Sequence, residues 1–241
     1  MKKIWIIAKR ELNSFFDSLI AYILIIAFLG LSGFFTWLYG SDIFLIGQAT
    51  MQPFFSVAYW TLFFFIPALT MRMLAEEKKS GTIEMLLTKA VTDRQVVLGK
   101  FFAGFILIAI ALLLTLPYYF TIMSIGSIDN GAVWTGYLGT LLMSMTYLSI
   151  GIFASSITNN QIVAFLTSLF IGMFFLIIFE VLAGSFTGVI GNIFNYLSLS
   201  THYESISRGV IDLKDIIYFV SISFFTLLLA EFSLSKRNFA D

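Results

Sequence analysis

The chain has 241 residues with 28 Phe, no Cys, a formal net charge of zero and only 12% charged residues, and its mean hydropathy is +0.94. A soluble fold of that composition would have no surface to offer water, so the sequence places the chain in a bilayer. The charge balance argues against nucleic acid as a partner, and the absence of Cys removes disulfides and thiol chemistry.

In chain order, the first element is amphipathic. Ile4, Trp5, Ala8, Leu12, Phe15, Phe16 and Leu19 share one helical face, with Lys2, Lys9, Arg10, Asn13 and Asp17 opposite. This pattern predicts a helix lying in the membrane interface, with Trp5 at headgroup depth. The first long apolar run that follows is a full span without a small-residue cleavage site, so no cleavable signal peptide is expected. A helix needs roughly 20 apolar residues to cross ~30 Å of hydrocarbon, and six stretches qualify: 18–39, 54–71, 101–123, 135–155, 162–182 and 216–235.

Twelve of the 14 Lys and Arg residues lie before the first span, in 72–100 or after the last span, and only Arg208 and Lys214 lie in the other connections. This asymmetry predicts cytosolic termini and a cytosolic 72–100 loop, with 183–215 on the outer side. The expected architecture is a single all-α domain, 1–241, of six transmembrane helices.

Pro67 and Pro117 fall inside the second and third spans, where the missing N–H predicts kinks. Gly151 with Ser155, Thr140 with Ser144, and Ser168 with Gly172 have a small-x-x-x-small spacing. That spacing suggests close packing of the fourth and fifth spans, within the chain or across a dimer.

The 72–100 loop carries ten of the chain's 28 formal charges and has its own helical signals. A continuation of the second span should break at Ser80 and Gly81, and Thr82 can cap a short helix with Glu84 in its first turn and Ile83, Leu86 and Leu87 on one face. Thr92 and Gln95 form a T-x-x-Q capping box, flanked by Val91 and Val96 as a hydrophobic staple. An apolar patch held in the cytosol between two spans is a docking surface for a soluble partner or a helix resting on headgroups.

Residues 186–199 are too few to span and suit a re-entrant or interfacial helix, with Ile190, Ile193, Phe194 and Leu197 on one apolar face. A second short helix is expected around 203–208. Together with His202, Glu204 and Arg208, these residues form the candidate outer gate or partner contact.

Catalytic patterns are missing. The only Gly-Lys pair, Gly99 and Lys100, has Arg94 at the required glycine position, so the chain has no phosphate-binding loop. Glu180 and Glu231 sit near opposite membrane surfaces and read as snorkelling or packing residues, not as a coupling-ion site. With His202 the lone His, neither a metal centre nor an intramembrane protease site is expected.

The segment "AEEKKSGTIEMLLTKAVTDRQVVLGK" (75–100) resembles the cytosolic loop of permease subunits of type-2 ABC exporters, with the pattern A-E-E-[KR]-x-x-G-T-[IL]-E-x-L-L-T-x-P-V followed by G-K. The match runs through Ala75, Glu76, Glu77, Lys78, Gly81, Thr82, Ile83, Glu84, Leu86, Leu87, Thr88, Val91, Gly99 and Lys100, and departs at Ala90, where the family usually has Pro. "SSITNNQIVAFL" (155–166) and "LSLSTHYESISRGVIDLKDIIYF" (197–219) extend it over the chain, and the overall likeness is greatest to the gliding-motility-associated permease.

The resemblance implies a permease subunit in a bacterial inner membrane, with no catalytic residues and no cofactor of its own. Glu76, Glu77, Gly81, Thr82, Ile83, Glu84, Leu86 and Leu87 would couple it to a cytosolic ABC ATPase dimer. It also implies a second permease copy or related subunit and, for the gliding branch, an auxiliary membrane-anchored protein with an external domain. The alternative is a non-transporting membrane scaffold that anchors a motility or secretion machine.

Overall fold

The computed structural model describes residues 2–39, 43, 47–82 and 91–236, and every regular element among them is helical. Among the described residues, six helices are long and apolar enough to cross a membrane: Leu19–Trp37, Gln52–Lys79, Asp93–Ile125, Asn130–Ser156, Gln161–Ser185 and Leu213–Ser235. They agree with the six predicted spans, several extending further at one or both ends. The predicted short helix carrying Ile83, Glu84, Leu86 and Leu87 lies outside the described residues.

Helix α1, Lys2–Asp17, ends where Ser18 takes an extended conformation and caps α2, Leu19–Trp37, by accepting from the Ile20 N–H at 3.4 Å. Trp5 is 59% exposed, as an interfacial anchor should be, yet Ile7, Ala8 and Phe15 are buried. The helix therefore has a protein-facing stripe as well as an apolar edge.

Helix α3, Gln52–Thr70, contains Pro67, and after one irregular turn the chain resumes as α4, Ala75–Lys79. Ser80 ends α4 and Gly81 turns the chain at φ +70, in the left-handed region that glycine tolerates. The capping box starts α5, Asp93–Leu113, as its spacing predicts: the Gln95 N–H donates to Thr92 Oγ1 at 3.3 Å and the Thr92 N–H to Gln95 Oε1 at 3.4 Å. Pro117 does not merely kink the third span. It sits in the first turn of a separate segment, α6, Leu116–Ile125, and Thr115 at the break bonds the Leu112 carbonyl at 2.7 Å.

Helix α7, Asn130–Ser156, is the most enclosed span and packs against α3, α5, the fifth and sixth spans and a short far-end helix. Lipid chains are as apolar as Leu side chains, so burial from water does not hold helices together in a bilayer; close approach and interhelical hydrogen bonds do. Accordingly, a Cβ on Gly136 would lie 2.3 Å from the Phe55 ring, and one on Gly151 2.0 Å from Thr70 Oγ1. The Gly151 stripe thus meets the second span rather than the fifth, while Ser168 and Gly172 of α8, Gln161–Met173, are buried.

A π-helical segment, Phe174–Ile178, and α9, Phe179–Ser185, complete the fifth span. Two short helices, α10 (Gly188–Leu197) and α11 (Leu199–Ser207), lead to α12, Leu213–Ser235. Hydroxyls join α12 to α7: Thr146 Oγ1 lies 3.2 Å from the Phe219 carbonyl and Thr226 Oγ1 donates to Ser149 Oγ at 2.7 Å.

Candidate functional site

The end of the bundle bearing α1 and the C-terminus of α12 contains an ion cluster built from three helices. Lys100, on α5, is fully buried, and its Nζ lies 2.9 Å from both Glu11 Oε1 of α1 and Glu77 Oε1 of α4. Arg10 adds a rim cation 3.5 Å from Glu11 and 3.7 Å from Glu77. An ammonium taken fully out of water needs such compensation, since an unpaired buried charge costs several kcal/mol. Gly99 explains how the third helix reaches it: a Cβ there would lie 2.6 Å from Ile7, so glycine lets α1 settle onto α5. The Gly-Lys pair is therefore a helix-packing device followed by an electrostatic tie.

A second tie closes the irregular turn between α3 and α4. Its free amides at Leu74 and Ala75 donate to Ser155 Oγ of α7 at 3.0 and 2.9 Å, and that hydroxyl donates to the Met71 carbonyl at 3.2 Å. The next carbonyl, of Ser156, accepts from Lys78 Nζ and, at 3.0 Å, from Ser233 Oγ of α12. One serine thus substitutes for the missing helical hydrogen bonds and fixes the start of the charged loop to the most enclosed span.

Beside these ties opens a cleft of about 610 Å³ lined by Arg10, Glu11, Arg72, Glu76, Glu77 and Thr82. Glu76 pairs with Arg72 at 3.0 Å on the exposed side, whereas Glu77 turns inward to Lys100. Ser80 Oγ bonds the Glu76 carbonyl at 2.9 Å and lies 2.8 Å from Thr82 Oγ1, holding the chain as it leaves α4.

Residues 6–233, nearly the whole chain, match the family model described as ABC-2 family transporter protein. No curated protein matches the chain. The chain belongs to the ABC-2 transporter family.

It is accordingly a multi-pass membrane protein and the permease subunit of an ABC transporter, a membrane component rather than a catalytic one. Within this ABC-2 permease, the structure brings Glu76, Glu77, Gly81 and Thr82 together at the charged end, and the coupling candidates Ile83, Glu84, Leu86 and Leu87 lie outside the described residues.

The far-end candidates do not form one site. Ile190, Ile193 and Leu197 are exposed on α10, while Phe194 packs its ring on Phe179 and Phe186 at 6.2 and 6.0 Å. Glu204 and Arg208 pair with each other at 2.6 Å on the surface. His202 is not a surface contact at all. Its ring is buried, with Nδ1 2.6 Å from Asp215 Oδ1, Nε2 3.1 Å from the Tyr196 carbonyl and the Tyr218 ring stacked at 4.0 Å. The Tyr203 phenol is pushed up by burial, with the Thr140 hydroxyl opposing, and the carboxyl of Asp212 is lowered by the Lys214 N–H it accepts from while capping α12.

Glu11, Lys100 and Ser155 belong to the site but were not among the residues singled out for coupling. Lys100 and Ser155 did lie within the quoted family segments, and that was the available signal. Nothing in the spacing of Glu11 on α1 announces a partner 89 positions away.

Proposed function

We propose that this permease is driven by a cytosolic ABC ATPase dimer that docks on the 76–91 segment and moves the spans through the Lys100 cluster. Both termini and the 72–100 loop then face the cytosol of a bacterial inner membrane, and a second copy of this chain or a related subunit completes the transporter. The observation that supports this most is that Lys100 joins α1, α4 and α5 in one buried ion cluster. A load applied to α4 then reaches α1 and the third span through Lys100, and the fourth span through Ser155. The likeness to the gliding-motility-associated permease extends the reading to a machine with an auxiliary membrane-anchored protein, whose output is mechanical or assembly-related.

Co-purification tests the docking surface. Burying a Leu contributes roughly 1.5 to 3 kcal/mol, so Leu86→Asp should weaken ATPase association about tenfold or more while the amount of permease in the membrane is unchanged. Lys100→Met should instead keep the ATPase bound and abolish the dependence of its hydrolysis rate on the permease. An ATPase that co-purifies equally with the Leu86→Asp chain would refute the docking surface.

A further inference from the structure

Glu180 interrupts the apolar run "FLIIFEVLAG" (175–184), and the π-helical segment ends two residues before it. A π-bulge inserts one extra residue, which turns the side chains that follow by about 100° relative to an uninterrupted helix. The Leu176 carbonyl lies 3.3 Å from Ser200 Oγ, and the same hydroxyl donates to Glu180 Oε2 at 2.6 Å. The bulge thus directs a carboxylate out of the apolar run toward α11 and a cavity beside it.

That cavity measures about 330 Å³ and is lined by Tyr59, Trp60, Glu180, Ser200, Tyr203 and Glu204, with Arg208 at its edge. Two carboxylates and one guanidinium leave it one net negative charge. The guanidinium belongs to Glu204, 2.6 Å away; elsewhere at this end Asp212 pairs with Lys214 at 3.0 Å and Asp215 with His202. Among the described residues, Glu180 has no cationic partner. The lining is also aromatic: the Tyr59 ring lies 5.4 Å from Trp60 and 4.9 Å from Tyr203, and Trp60 is half exposed.

We infer that Glu180, with the Trp60 and Tyr59 rings, forms a binding site for an alkylammonium group. The carboxylate supplies the countercharge and the ring faces attract a weakly hydrated cation. A bare metal ion fits less well, because the described residues hold no group of three His, Cys, Asp or Glu side chains, and the volume is at the lower end of the roughly 300 to 1,000 Å³ typical of small-molecule sites. The ammonium could come from a phospholipid headgroup or a free amine.

The test uses the purified full-length chain in phosphatidylglycerol nanodiscs, whose headgroups carry no ammonium. Tryptophan fluorescence is followed while tetramethylammonium chloride replaces sodium chloride at constant ionic strength. The response should saturate, weaken about tenfold or more in Glu180→Gln, as loss of a charged partner predicts, and stay unchanged in Glu231→Gln. If adding phosphatidylethanolamine to the discs suppresses the response, the headgroup is the ligand; if the response persists, a free amine is. A non-saturating response, or one identical in Glu180→Gln, would mean that Glu180 only reaches for water and would overturn the site.

Discussion

The two ends of the bundle use charge differently. At the charged end, Lys100 reaches across 89 positions to Glu11 and 23 to Glu77, so its ties join helices distant in sequence. At the far end the pairs are local: Arg208 with Glu204 at i,i+4, Lys214 with Asp212, and His202 with Asp215 thirteen positions on. A tie between distant segments makes α1 and the second and third spans respond to one load. Local charge pairs stiffen each short helix and its neighbour, while uncharged hydrogen bonds hold α11 to the bundle: the Tyr203 hydroxyl donates to the Phe55 carbonyl at 3.0 Å and Gln52 Nε2 to the Ser207 carbonyl at 2.7 Å.

The largest effect expected from this contrast is at Lys100. Lys100→Met leaves the Glu11 and Glu77 carboxylates without their central cation, and breaking a buried pair of this kind costs about 3 to 5 kcal/mol. Equilibrium unfolding in lipid or detergent should show that loss, and adding Glu11→Gln and Glu77→Gln should recover much of it. Hydrogen exchange sharpens the comparison: protection should fall together in α1, α4 and α5. A fall confined to α5 would show that the cluster joins nothing.

Ser155→Ala should come next. It strands the Leu74 and Ala75 amides, for a cost of about 1 to 3 kcal/mol, and the faster exchange should centre on residues 71–75. Ser155→Gly should behave alike, since either change removes the hydroxyl. The smallest effect belongs to the far-end surface, where Glu204→Gln weakens only an exposed pair, worth about 0 to 1 kcal/mol. A loss as large as that of Lys100→Met in the same unfolding assay would abolish the distinction between the two ends.

Much of this architecture was legible because its signals are local. Apolar runs of span length mark the six helices, the Thr92–Gln95 spacing marks the start of α5, and Ser80 with Gly81 marks the end of α4. Each needs only neighbours within a turn or two of the chain. Pro117 was legible as an interruption but not as the first turn of a separate segment, because Thr115 stabilises the break partly through Tyr137, 22 positions away, at 2.9 Å.

What the tertiary structure alone decided is which polar side chains turn inward. Glu76 and Glu77 are neighbours in one motif, yet one meets Arg72 in the open and the other a buried ammonium, because successive residues on a helix point about 100° apart and only packing decides which direction is interior. By sequence His202 groups with the candidate outer gate or partner contact, and it is buried on Asp215 for the same reason. Composition and periodicity determined that this chain crosses a membrane six times and gathers its charge at one end. Where each charge finds its partner depended on contacts between residues tens of positions apart, and those exist only once the helices have packed.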